Sequence, residues 1–94
     1  MSKITLQEIL TQEAFRIKDL KESIAESYPE ALFADGHDHA ILGYSQDGRV
    51  IYSYNKIIEG LMDGMTHEEA VEYFDFNIGC AYVGEYTPIY MYEE

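Results

Sequence analysis

Tryptophan is absent from the 94 residues, cysteine occurs once, proline twice, and lysine and arginine together six times. Each shortage removes a class of explanation. The lone Cys80 cannot close an internal disulfide, so the fold must rest on packing. No apolar run approaches the roughly 20 residues that a membrane helix needs. Met1 to Leu10 carries Glu8 and no continuous apolar stretch, so a secretory leader is not expected there. The chain also lacks an Asn-x-Ser/Thr sequon, an internal repeat and any low-complexity segment. These absences together suit a reducing, cytoplasmic setting.

Acid is abundant. Eighteen Asp and Glu give a formal net charge of -12. The charge is unevenly placed: after Lys21 only Arg49 and Lys56 are basic, whereas all but three of the acids lie in residues 22–94. A body this negative repels phosphate backbones, which argues against direct binding of DNA or RNA. It is attracted to basic surfaces, including the nucleic-acid grooves of other proteins. Nine Tyr and four Phe are too many rings for the core of so short a chain, so some are expected on the surface. Tyr82, Tyr86, Tyr90 and Tyr92 near the C-terminus are the candidate interface aromatics, because Tyr buries a ring while keeping a polar tip wet.

The pattern predicts a single α+β domain over 1–94, with an N-terminal amphipathic helix in 1–28 and the remaining elements in 35–92. Thr5 and Glu8 form a capping-box pattern. Leu6, Ile9, Leu10, Ile17, Leu20 and Ile24 then make one apolar stripe, and Tyr28-Pro29 ends the helix. Arg16, Lys18 and Lys21 on this helix read as local partners of Glu13, Asp19 and Glu22. Ala40 to Ser45 and Arg49 to Tyr54 read as a hairpin. A three-residue turn with Gly48 left-handed pairs Tyr44 with Val50 and Leu42 with Tyr52. Asn55 is the expected cap of a short helix carrying Ile57, Ile58, Leu61 and Met62. Thr66-His67-Glu68-Glu69 is a second capping box, opening a helix that turns Ala70, Val71, Phe74 and Ile78 inward. Tyr82 to Glu85 reads as extended, and Pro88 to Tyr92 as an edge strand. The order is α-β-β-α-α-β, with a three-stranded, mostly antiparallel sheet packed by helices.

Three clusters carry side chains capable of chemistry. His37 and His39 beside Asp35 and Asp38 could ligate a divalent metal, but two ligands fall short of the three or four a site needs. A solvated loop shaped by Asp and Gly explains them as well. Cys80 among Ile78, Gly79 and Ala81 reads as a small buried hydrophobe rather than a nucleophile. The glycines around Asp47-Gly48-Arg49 and in Gly79–Gly84 match no phosphate-cradling loop. No catalytic set, metal site or cofactor is therefore assigned. Glu68, Glu69, Glu72 and Asp75 form the densest acidic face and are the candidate protein-binding residues. Carboxylates on a rigid helix could stand in for phosphates, although the same acids also favour a helix N-terminus.

From Asp35 to Tyr90 the chain carries a set of short motifs: Asp35-Gly36, Asp38-x-Ala40-Ile41-Leu42-Gly43, Asp47-Gly48-Arg49-Val50-Ile51-Tyr52-Ser53-Tyr54 and Lys56-Ile57-Ile58-Glu59. Met65-Thr66-His67-Glu68-Glu69-Ala70, Phe76-Asn77, Ala81-Tyr82-Val83-Gly84-Glu85 and Thr87-Pro88-Ile89 complete it. In these the chain resembles a group of short uncharacterised proteins met in phages, prophages and bacterial chromosomes. His37 and His39 depart from that group's pattern, and the first helix falls outside the resemblance. The likeness implies a mobile-element accessory protein, many of which act by binding a host protein. The expectation is a non-catalytic acidic binding module, a DNA mimic or inhibitor aimed at a basic nucleic-acid-binding defence protein. Two alternatives stand beside it: a homo-oligomeric assembly module that dimerises through the first helix or the Tyr90–Tyr92 edge, and a small metal-dependent enzyme around His37 and His39.

Overall fold

The computed structural model describes residues 6–93, with side chains described from Phe15 onward. Helix α1 spans Leu6–Ser27. Its expected capping box and the Leu6, Ile9 and Leu10 part of its stripe lie outside the described side chains. Farther along, Ile24 is buried and Leu20 packs against the core. The helix stops before Pro29, and the N–H of Ala31 closes a turn onto the Tyr28 carbonyl at 3.0 Å. Lys21 does not pair locally as the sequence suggested. Its Nζ reaches Asp38 at 2.9 Å and lies 5.1 Å from the Phe33 ring centroid, tying α1 to the loop that follows.

A single 3-10 turn over Asp38–Ala40 leads into β1, Ile41–Tyr44. Strand β2, Val50–Ser53, returns antiparallel to it. Gly48 adopts φ +84, and the N–H of Ser45 bonds the Arg49 carbonyl at 2.8 Å. This is the three-residue turn that the apolar register required. Tyr44 pairs with Val50 as expected, but Tyr52 pairs with Ile41 and not with Leu42, because the register shifts between Ile41 and Gly43. The extra residue of a bulge lets both Ile41 and Tyr52 turn into the core. The hairpin tip packs on the end of α1: Tyr28 donates to the Gln46 carbonyl at 3.0 Å, and a Cβ on Gly48 would meet its ring at 2.8 Å.

Helix α2, Tyr54–Leu61, starts directly from β2. Its cap is Ser53, whose hydroxyl accepts from Lys56 N, rather than Asn55. Asn55 instead donates to the Glu93 carbonyl at 3.1 Å. Helix α3, His67–Phe74, runs on into a π-helical turn over Asp75–Gly79. The segment around Tyr82–Glu85 is not a strand. A turn from Gly84 to Thr87 occupies it, and the Thr87 hydroxyl accepts from Val83 N at 2.9 Å.

Strand β3, Ile89–Met91, pairs with β2, so the sheet order is β1-β2-β3 with β3 at an edge. The β2–β3 pairing is parallel, Ile51 against Ile89 and Tyr52 against Tyr90. The crossover that a parallel pair needs is supplied by α2 and α3. The sheet is thus mixed, one antiparallel and one parallel pairing, within the expected α+β arrangement. Buried residues from every layer meet at β2: Ile24 from α1, Ile41 from β1, Ile57 and Ile58 from α2, and Ala70 and Phe74 from α3. No described helix is long and apolar enough to cross a membrane.

Candidate protein-binding surface

The acidic face begins with the capping box. Thr66 Oγ1 accepts from Glu69 N at 3.2 Å, and Glu69 Oε1 accepts from Thr66 N at 3.0 Å. Hydrogen bonds to its carboxyl from the Thr66 backbone N–H and, second, from the Thr66 side chain hold Glu69 below the ordinary carboxylate range. Glu69 Oε1 is thereby engaged at the start of the helix, while the side chain stays exposed. Glu68, Glu72 and Asp75 remain exposed, as expected. Ala70 and Phe74 are buried on the opposite side, so these acids project from a segment anchored in the core. From Ile57 to Glu94 the chain contains no lysine or arginine, so no side-chain cation from that stretch offsets them.

Four tyrosines were expected as interface anchors, and the structure divides them. Tyr82 is 81% exposed. Tyr92 is 65% exposed, and its ring rests 4.3 Å from that of Tyr54. Tyr90 turns inward, 5.1 Å edge-on to Phe74 and 5.9 Å from Tyr52, and burial pushes its phenol up. Tyr86 is half-buried beside Ser27, Tyr28 and Pro29, where a hydrogen bond to Glu30 raises its phenol. Tyr86 and Tyr90 are thus partly withdrawn from solvent, while Tyr82 and Tyr92 are open to it. The rings of Tyr52, Tyr90, Phe74, Tyr54 and Tyr92 form a continuous series of contacts from core to surface. That series accounts for much of the aromatic excess.

Two exposed rings escaped sequence reasoning. Phe76 is 77% exposed, and Tyr73 is also exposed, so both flank the acidic face on the same helical segment. The helical period does signal this, because Phe74 points inward and a residue two positions away lies on the far side. Cys80 is exposed too, against the expectation of a buried thiol, and its Sγ donates to the Phe76 carbonyl at 3.0 Å. A Cβ on Gly79 would come within 2.7 Å of the Phe74 ring, so Gly79 is the residue that backs onto the core, and Cys80 turns outward.

A cleft lies alongside α3. Ala34 N donates to the Tyr52 hydroxyl at 2.7 Å, and His37 N bonds the Ala34 carbonyl at 3.3 Å across a turn with Gly36 at φ +84. That turn forms one wall with Asp35 and His37. Tyr73 and Asn77 form a second, and Val83, Pro88 and Tyr90 a third. The cleft encloses about 310 Å³. Burial lowers the proton affinity of His37, the neighbouring His39 lowers it further, and Asp38 opposes both. The imidazole is thus mostly neutral at pH 7. The two histidine rings stand 6.4 Å apart, and His39 Nε2 donates to the Lys56 carbonyl at 3.1 Å. Among the described residues no group of three or more His, Cys, Asp and Glu is placed to hold a metal ion. No protein-family model, no curated protein and no solved structure matches the chain.

Proposed function

We propose that this chain is a non-catalytic binding module of a phage or other mobile element that docks on a basic host protein in the cytoplasm. The target class is a nucleic-acid-binding protein, such as a nuclease or another defence factor, whose phosphate-binding surface the acidic body occupies. The observation that carries this reading is the α3 surface: exposed Glu68, Glu72 and Asp75 beside exposed Tyr73 and Phe76 on one core-anchored segment. Carboxylates speed association with a cationic surface and fix its orientation, while aromatic rings supply buried anchor area. The resemblance to mobile-element proteins supports the biological setting.

The test is a pull-down from bacterial lysate with the tagged chain, washed at low and high salt, with bound proteins identified by mass spectrometry. The expected result is stoichiometric capture of a nucleic-acid-binding protein that weakens at high salt. The triple variant Glu68→Lys, Glu72→Lys, Asp75→Lys should lose that protein. Retention by the variant would remove α3 from the interface, and an empty bait would remove the reading for that host.

A further inference from the structure

We propose that the cleft bounded by the Asp35–His37 turn, α3 and the approach to β3 receives a lysine or arginine side chain carried on an apolar segment of the partner protein. This deepens the function proposed above and rests on it. The walls are chemically matched to such a side chain. Tyr73, Tyr90, Val83 and Pro88 offer apolar and aromatic surface to a long aliphatic stem, and ring faces attract a cation. Asp35 is the one carboxylate among the lining residues, and its exposure leaves it open to the cationic head.

Charge selects the occupant. Among the lining residues only His37 can carry positive charge, and burial lowers its proton affinity. The rest of the body after Lys21 bears a large excess of acid. An anionic segment would be repelled, and a neutral apolar one would leave Asp35 without a counter-charge. A second copy is disfavoured because association would bring together two chains of net charge -12. A distinct basic partner satisfies both the walls and the field.

The cleft is also supported from behind. The turn carrying Asp35 and His37 is fixed by the buried Tyr52 hydroxyl, and Tyr90 is held by ring contacts to Tyr52 and Phe74. These contacts hold two of the three walls in place before a ligand arrives, which lowers the ordering cost of binding.

The experiment uses the full chain, isotope-labelled, titrated with the capped heptapeptide Ala-Leu-Ala-Arg-Ala-Leu-Ala and with the same peptide carrying neutral citrulline for arginine. The expected result is saturable shifts at the amides of Asp35, His37, Asn77 and Val83 with the arginine peptide. The citrulline peptide should bind about tenfold more weakly, the size of a charged hydrogen bond lost. Asp35→Asn and Ala81→Arg, both at exposed positions, should each reduce binding while the spectrum stays dispersed. Equal binding of the two peptides, or shifts confined to Glu68, Glu72 and Asp75, would overturn the cleft assignment. Concentration-dependent cleft shifts without any peptide would overturn it in favour of a second copy. In the pull-down, loss of the partner in the α3 triple variant but not in Ala81→Arg would refute the cleft and leave the proposed function standing. Absence of any partner would remove that function itself.

Discussion

The hydroxyl of Tyr52, buried in the central strand, accepts a 2.7 Å hydrogen bond from the backbone N–H of Ala34. One core side chain thus fixes the loop that carries Asp35 and His37, 18 positions away in sequence. Tyr52→Phe should keep the ring packing and leave that N–H without its acceptor. We expect a loss of about 0.5–1.5 kcal/mol in urea unfolding, the net contribution of one hydrogen bond. Hydrogen exchange at Ala34 should accelerate in the same variant.

The same hydroxyl gives a pH signature. Burial is the largest influence on the Tyr52 phenol, and its pKa is pushed up to about 12 from 10.0. The folded chain therefore holds this proton more tightly than the unfolded chain does. Its contribution to stability is complete below pH 10 and is lost as pH rises towards 12. Urea unfolding across that window should show falling stability, and Tyr52→Phe should flatten the slope.

Two glycines distinguish fixed neighbours from movable ones. A Cβ on Gly79 would meet the Phe74 ring at 2.7 Å, and that ring is buried and clasped by Tyr54 and Tyr90. Gly79→Ala should cost about 1–3 kcal/mol through overpacking. A Cβ on Gly60 would meet His39 at the same 2.7 Å, but His39 is exposed and can swing away. Gly60→Ala should be near neutral, with helix propensity offsetting the lost His39 contact. Thermal unfolding of the two variants side by side checks the contrast.

Thr66→Ala removes one bond of the capping box and should cost about 1 kcal/mol in chemical denaturation. Glu69 supplies the reciprocal bond, and its folded pKa is depressed. Its contribution is present above the ordinary carboxylate range and is lost as pH falls through the folded value. An NMR titration should find the Glu69 carboxyl titrating below its ordinary value in the wild-type chain and moving upward in Thr66→Ala.

Cys80 should react with iodoacetamide in the folded protein, at a rate within about tenfold of that in urea, because exposure governs thiol access. Protection until unfolding would contradict its placement.

The residues that revealed the fold in the sequence were those whose local chemistry has few solutions. Gly48 and its apolar flanks specified the turn and the Tyr44–Val50 pair, and Thr66 with Glu69 specified the start of α3. Other features depend on partners distant in the chain. Ile89 and Met91 alternate as a strand should, but alternation does not encode direction, so the parallel pairing with β2 was hidden. The shift between Ile41 and Gly43 is set by which side chains fit the core, not by the turn. Cys80 reads as buried from its small apolar neighbours, yet it is Gly79 that lies against the Phe74 ring, and the thiol is exposed. The acidic face could be read from Glu68, Glu72 and Asp75 because one helix carries it. The cleft could not, since Asp35, Tyr73 and Pro88 meet only through tertiary contacts.

The parallel pairing of Ile51 with Ile89 has a consequence during translation. The β1–β2 hairpin closes over a few residues and can form as soon as Tyr52 and Ser53 clear the ribosome. β3 can add to it only after α2, α3 and the Gly84–Thr87 turn have also been made. Pro88 and Tyr90 complete the cleft at that last step, so a nascent or prematurely terminated chain presents the acidic helix before it possesses the third wall.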